Sequence, residues 1–515
     1  VGQPPEKPAL KYSSHPTTTG STQTPNRILA WLLANRFPVL LALLVGGHFA
    51  WYTYITWTQY RAHRIFLIDA GLFDFMVSGF RHGHGMRFPL VWDANVTMLA
   101  DHFRPFFYGI GLLYLAVDHP MVLLTCFNAG LAFAAVPLAL LARQVLKNPD
   151  LAIAVAALYL TNHFVRSIQL AVHAEALIPI GIFTLIYALQ IRHGKLLWLA
   201  FLYLISQKED VPLYTGAVAF TVFLEQLWRT NDSWLKRQAA MMLAASMLAF
   251  VIAFLTMRLA GSQRLADAGI NAFDKFSSMG ETPWQVALFV FSHPLTVLSR
   301  MMTWTLVHLF SAMAFVSILD PKRAWIVVAA ASIFLLVEDQ PVSTLSYYYS
   351  YAAISFVFVS GIYGLSRLIH CLTMFRNPST VPWVLISAVL IIQIPMPTRT
   401  DGLYHRPFPP NPRSRALDHL LKNLPPEAPV AAGFDLYARV PNRPIKLPIT
   451  ADHLRIIDYV VIDRYGIIDT PRTEIPRIQA IINSDEFVLL GEASGFQILK
   501  RVRPPSPELY VENKY

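Results

Sequence analysis

The chain has 515 residues, of which 54% are apolar and 14% charged, with a mean hydropathy of +0.42 and a formal net charge of +10. A soluble domain carries about 25% charged residues, so the composition excludes a soluble globular protein and indicates an integral membrane protein. No clustered basic stripe accompanies the positive charge, so nucleic acid is not an expected partner, and the two cysteines, Cys126 and Cys371, lie in separate apolar stretches that form neither a disulfide framework nor a metal site.

Residues 1–26 are rich in Pro, Thr, Ser and Gly and read as a disordered tail. From there to residue 396 the chain is a multispan domain. A hydrocarbon core of about 30 Å needs roughly 20 residues of helix. About eleven spans are predicted on that basis, at 36–58, 120–145, 150–165, 173–192, 195–207, 211–228, 238–258, 295–319, 323–337, 347–370 and 381–396. The first lacks the cleavage pattern of a signal peptide and reads as a retained helix. With the N-terminus in the cytoplasm, Arg143, Lys147, Arg192, Lys195, Lys322 and Arg323 all fall in short cytoplasmic connections, as the positive-inside rule requires. The long loops 59–119 and 259–294 and everything after about residue 397 then lie outside a cytoplasmic membrane.

In the first outer loop, Phe66–Phe80 predicts a helix lying in the interface, and 103–117 a second interfacial or re-entrant helix. A further one is expected around Trp284–Phe291. Beyond a Pro-rich linker, 397–515 predicts a small extracytoplasmic α/β domain. Its strand-like runs are Val430–Tyr437, Asp458–Ile462, Phe487–Gly491 and Gly495–Lys500, the last two a hairpin. Helical signals lie at Ser414–Asn423 and Glu474–Asn483.

Ionisable residues gather at the outer ends of the spans, where charge is expensive and usually kept for function. Asp69, just beyond the first span, is placed to act as a general base toward a hydroxyl. Asp74, five residues on, occupies a different helical face. Asp93 and Asp101 lie in the same loop; there His102 and Arg104 flank Phe103, and His173 with Glu175 opens the fourth span. Lys208-Glu209-Asp210 forms a tight connection, Glu338-Asp339 a later one, and Arg258, Arg264, Lys275 and Arg300 border the second outer loop. Singly, each has a plain explanation: a solvated helix cap, an interfacial histidine bonded to backbone, a solvated charge run or a snorkelling anchor. The spacing of His173 and Glu175 lacks the i, i+4 pairing of a helical metal motif.

Four of these segments in order resemble one family. Ile68-Asp69-Ala70-Gly71-Leu72-Phe73-Asp74, His102-Phe103-Arg104-Pro105, His173-Ala174-Glu175-Ala176 and Lys208-Glu209-Asp210 are similar to motifs of membrane proteins catalogued as domain of unknown function 2079. The late strand Asp458-Tyr459-Val460-Val461-Ile462-Asp463 resembles it too. The chain departs from that pattern at Phe75, where the family often has Gln, and at Tyr347-Tyr348-Tyr349, where it tends to carry His-Tyr. The family is in turn similar to the C-type (GT-C fold) glycosyltransferases, multispan enzymes with a catalytic aspartate in the first outer loop.

The resemblance implies sugar transfer from a polyprenyl-phosphate donor to an acceptor hydroxyl at the outer face. Asp69 is the expected catalytic base, and Lys208 with Arg258 or Arg264 the expected phosphate partners. His102, His173 and Glu175 are expected to orient the sugar or Asp69, and Asp74, Arg104, Glu209 and Asp210 to complete the substrate site. Mg²⁺ or Mn²⁺ is compatible with the carboxylates but not required by the sequence. The alternatives are a non-catalytic membrane assembly protein or a transporter on the same scaffold.

Overall fold

Prolines and polar caps set where the helices begin. Asn148 accepts from the backbone N–H groups of Asp150 and Leu151, and Asp232 from those of Trp234 and Leu235. Pro120, Pro149, Pro321 and Pro412 each stand at a first helical position, where the missing N–H costs nothing. The computed structural model describes residues 34–63, 68–267, 274–280, 282–337, 340–373, 406–433, 436–450, 452–464 and 475–506. The expected tail, the expected span 381–396, Glu338-Asp339, and the side chain of Asp93 lie outside the described residues.

The main helices are α1 (Arg36–Arg61), α2 (Ile68–His82), α3 (Phe106–Ala116), α4 (Pro120–Leu146), α5 (Pro149–Thr161), α6 (His163–Ala171), α7 (Ile178–Gln190), α8 (Gly194–Ile205) and α9 (Val211–Glu225). They continue with α10 (Ser233–Leu259), α11 (Pro283–Ser292), α12 (Pro294–Met301), α13 (Trp304–Ser311), α14 (Pro321–Leu335) and α15 (Tyr351–Thr373). Four of them, α1, α4, α10 and α15, are long and apolar enough to cross a membrane. The pair α5 and α6, bent by 48°, makes a fifth if it is one span. Inside the molecule, 72% of the apolar window of α15 and 61% of that of α4 are buried, against 28% for α1 and α10. The first two are therefore central. The other two present apolar side chains outward, Met247, Leu248 and Leu255 on α10 among them, the pattern of a lipid-facing helix.

Contacts sort the helix ends into two groups. At one end Arg36 pairs with Asp150, the Arg143 guanidinium lies 4.7 Å from the Phe37 ring, Arg192 pairs with Asp232, and Lys322 with Glu225. At the other, the rings of Tyr60 and His119 meet at 5.3 Å, and Phe106 donates its backbone N–H to Ser206. Spans successive in the chain thus alternate in direction.

Two of the expected spans are corrected: 150–165 breaks at extended Asn162 between α5 and α6, and 295–319 breaks more severely. The stretch 295–319 does not form an unbroken helix but divides into α12, α13 and a short 3-10 turn, Val316–Leu319. Thr303 is extended between the first two pieces, and Ala314 and Phe315 take left-handed backbone (φ 48° and 60°) before the third. Neither conformation continues an α-helix.

The C-terminal part contains α16 (Pro412–Leu421), β1 (Val430–Ala432), β2 (Lys446–Pro448), β3 (Tyr459–Asp463), α17 (Ile475–Ile482), β4 (Phe487–Ala493) and β5 (Phe496–Arg501). The sheet order is β2-β1-β3-β5-β4. β1 runs parallel to β2 and β3, while β5 is antiparallel to β3 and β4. The expected strand over 430–437 ends at Ala432, and β2 was not anticipated. This domain sits against the outgoing end of α1: His63 Nε2 lies 3.2 Å from the Ser414 carbonyl, Phe408 donates its N–H to Thr58 Oγ1, and Arg439 covers the Tyr60 ring at 4.3 Å.

Candidate functional site

The turn between α6 and α7 brings His173 and Glu175 to the helix ends. Gly130 of α4 permits it, since a Cβ there would stand 2.8 Å from the Ala176 carbonyl oxygen. Just before the turn Val172 is left-handed, φ 47° and ψ 52°. For a β-branched residue that conformation costs on the order of 1–2 kcal/mol, and such strain persists only where surroundings enforce it.

Glu175 is the centre of the cluster and is fully buried. Its Oε1 accepts from Arg104 Nη2 at 2.7 Å and from Lys208 Nζ at 2.9 Å, and its Oε2 meets Nδ1 of His173. The other imidazole nitrogen, Nε2, lies 3.6 Å from Asp69 Oδ2. Asp69, with 35% of its side chain exposed, is the accessible end of this chain, whereas Arg104, His173 and Glu175 are all at or below 4%. The His173 ring is fixed by packing: Tyr348 stacks on it at 3.6 Å with a 5° interplanar angle, and Phe73 meets it edge-on at 4.9 Å.

A second carboxylate fastens the neighbouring loop. Glu209 Oε1 lies 2.9 Å from His102 Nδ1, and its Oε2 accepts the Phe103 backbone N–H at 3.0 Å. Burial alone would raise the Glu209 carboxyl, but His102, Lys208 and Arg104 outweigh it and hold the group down at about 2. Burial likewise works against a charged His102, yet Asp101 and Glu209 overcome it and raise that imidazole above its ordinary value. Asp210 Oδ2 accepts from Tyr214 Oη at 3.0 Å and from Tyr351 Oη.

Eight expected site residues therefore lie together: Asp69, His102, Arg104, His173, Glu175, Lys208, Glu209 and Asp210. Asp74 does not join them. It points to the opposite side of α2, where it is fully buried against Lys446. Arg258 and Arg264 are exposed at and just after the end of α10; the ion pairs that knit the cluster run through Arg104 and Lys208 instead. Among the described residues no group of three or more His, Cys, Asp or Glu side chains is disposed to hold a metal ion. The oxygens of Glu175 already face three nitrogen groups.

Over residues 67–486 the chain matches the model of a family described as predicted membrane protein, DUF2079. The chain belongs to this family. No curated protein matches it. The DUF2079 match opens two residues before Asp69, takes in all four clustered segments, and extends through β3 and α17 to end just before the final hairpin.

The sequence did not point to Tyr348, Tyr351 or Tyr214 as neighbours of the cluster, nor to Lys446 as the partner of Asp74. For the first two a signal existed: Tyr347 to Tyr349 and Tyr351 crowd the entry of an otherwise apolar helix. Lys446 stands alone between Ile445 and Leu447, and no spacing links it to residue 74.

Proposed function

We propose that this DUF2079 protein is a multispan membrane enzyme that moves a sugar from a polyprenyl-phosphate donor to an acceptor hydroxyl on the extracytoplasmic face. The observation that carries the reading is the line from accessible Asp69 through His173 to buried Glu175 and its two cations. In it, a carboxylate open to substrate is backed by an imidazole whose other nitrogen is already fixed. Such second-line support is how a general base is oriented.

In the proposed step Asp69 takes the proton of the acceptor hydroxyl as that oxygen bonds to the anomeric carbon. The bond from this carbon to the phosphate oxygen breaks, its electron pair stays on the phosphate, and the anomeric configuration inverts. Arg104 and Lys208 are the two permanent cations of the cluster, both held by Glu175, and as the nearest cations they would offset charge growing on the departing lipid phosphate. The acidic cluster sits at helix ends rather than at mid-span, which favours surface chemistry over a transport pathway. About eleven spans with the basic ends inside, by the positive-inside rule, would put the cluster at the outer leaflet.

The test uses purified protein, radiolabelled polyprenyl-phosphate sugars and acceptor-containing membrane extract. Wild type should transfer label, and Asp69→Asn, verified as folded, should lose at least about 100-fold, the usual contribution of a positioned base. Equal turnover in the two proteins would remove Asp69 from the mechanism. Absence of transfer from every donor, with solute flux in liposomes instead, would replace the enzyme with a transporter.

A further inference from the structure

α2 is held between two different partners on opposite faces. At about 100° per residue, Asp69, Phe73 and Met76 share one side, and Gly71, Asp74, Phe75 and Ser78 the other. The first side meets the candidate site through the contacts of Asp69 and Phe73 with His173. The second meets the C-terminal domain. Lys446 Nζ lies 3.3 Å from Asp74 Oδ2, and both side chains are completely buried. Asn442 Nδ2 donates to Asp74 Oδ1 at 3.2 Å and to Asp118 Oδ1 at 2.9 Å, while Asp118 Oδ2 pairs with His82 at the far end of α2.

A steric observation independent of charge points the same way. A Cβ on Gly71 would stand 2.8 Å from Tyr437 Cδ1 and 3.1 Å from the Ala438 backbone nitrogen. The domain backbone thus approaches the helix closely one turn before Asp74. Tyr437 itself donates to the Lys446 carbonyl at 2.6 Å, so the close contact and the ion pair belong to one rigid corner. Tyr114 of α3 completes the enclosure with a 2.8 Å hydrogen bond to Asp74 Oδ1.

We propose that Asp74, Lys446 and Asn442 are positioning residues through which the C-terminal domain holds α2, and with it Asp69, against His173. The domain is then part of the site's construction rather than an appendage. A buried one-to-one pair is suited to such a joint. Separating it leaves a charge in an apolar surround, so the docked arrangement is strongly specified even where the pair adds little net stability. The consequence for catalysis rests on the function proposed above; the mechanical claim does not.

Hydrogen exchange followed by mass spectrometry on the full chain in nanodiscs separates the two. Lys446→Met and, independently, Gly71→Ala should each speed exchange across residues 68–82 at least tenfold. Exchange in α4, α15 and the β3–β5 pair should stay as in wild type. Where Lys446→Met also loosens the sheet, Gly71→Ala, which removes no charge, decides the matter. The double variant Asp74→Asn with Lys446→Met should recover protection relative to Lys446→Met alone, because it leaves no unpaired charge. With labelled donor, the single variants should lower kcat tenfold or more while KM changes less than twofold. Unchanged exchange in α2 for both single variants would overturn the proposal. Faster exchange in a protein whose wild type transfers no sugar would keep the clamp and discard the transferase reading. Faster exchange with an unaltered kcat would show that the clamp does not serve Asp69.

Discussion

Two buried carboxylates, Glu175 and Asp74, sit on either side of α2 and are treated differently by their surroundings. Glu175 faces two cations and an imidazole, and its cluster opens toward solvent through Asp69. Asp74 faces one cation and is closed by Tyr114 and Asn442. At Asp74 burial outweighs the attraction of Lys446 and raises the carboxyl; Lys446 is lowered for the same reason, against the pull of Asp74. The one open side, at Asp69 backed by His173 and Glu175, suits a place where a substrate arrives. The neutralised, sealed pair suits a joint.

The difference can be broken most forcefully at Glu175. Glu175→Gln would leave Arg104 and Lys208 buried without their common partner, and a guanidinium cannot shed its proton to escape. A loss of about 3–5 kcal/mol is expected, read as a fall in the unfolding midpoint in detergent. Asp74→Asn should cost less, about 1–3 kcal/mol, because Lys446, already lowered by burial, can become neutral. Equal losses at the two positions would mean that the two clusters are not distinct in kind.

A smaller effect concerns pH. Glu209 is depressed from 4.5 to about 2, so its contribution to stability is full above 4.5 and fades as pH falls toward 2. His102 is raised above 6.5, so its contribution is full below 6.5 and is lost as pH rises through the raised value. The loop carrying both should therefore be most protected between about pH 4.5 and 6.5. Hydrogen exchange of residues 98–107 across pH, corrected for intrinsic rates, checks this. His102→Gln should remove the loss on the alkaline side and also weaken the acid limb, because His102 is the foremost group holding Glu209 down.

Much of the site was legible because charge in an apolar chain is conspicuous. Alternating helix directions then bring Asp69, His102, His173 and Lys208 to one end whatever the loop details. Asp74 entered the expected site through the family-like segment 68–74, although helical spacing already set it on a different face from Asp69, and that face is the one the C-terminal domain covers. Its partner Lys446 comes from a three-residue strand ending in Pro448, too short for an alternating pattern. Tyr348 stood out in the sequence only as part of a departure from the family pattern, yet its ring packs flat on His173. The interruption within 295–319 escaped notice because left-handed Ala314 and Phe315 are not glycines and leave no trace in an apolar sequence.

The central proposal is that Asp69, backed by His173, faces the substrate phosphate-sugar, while Asp74 and Lys446 are sealed in a joint on the other side of α2. An electron cryo-microscopy map of the full chain in nanodiscs with a polyprenyl-phosphate sugar bound addresses it directly. The account predicts headgroup density in contact with Asp69, with His173 still seated behind it and the Asp74–Lys446 pair closed. Headgroup density lodged at Asp74 and Lys446, or anywhere that leaves Asp69 untouched, would contradict it.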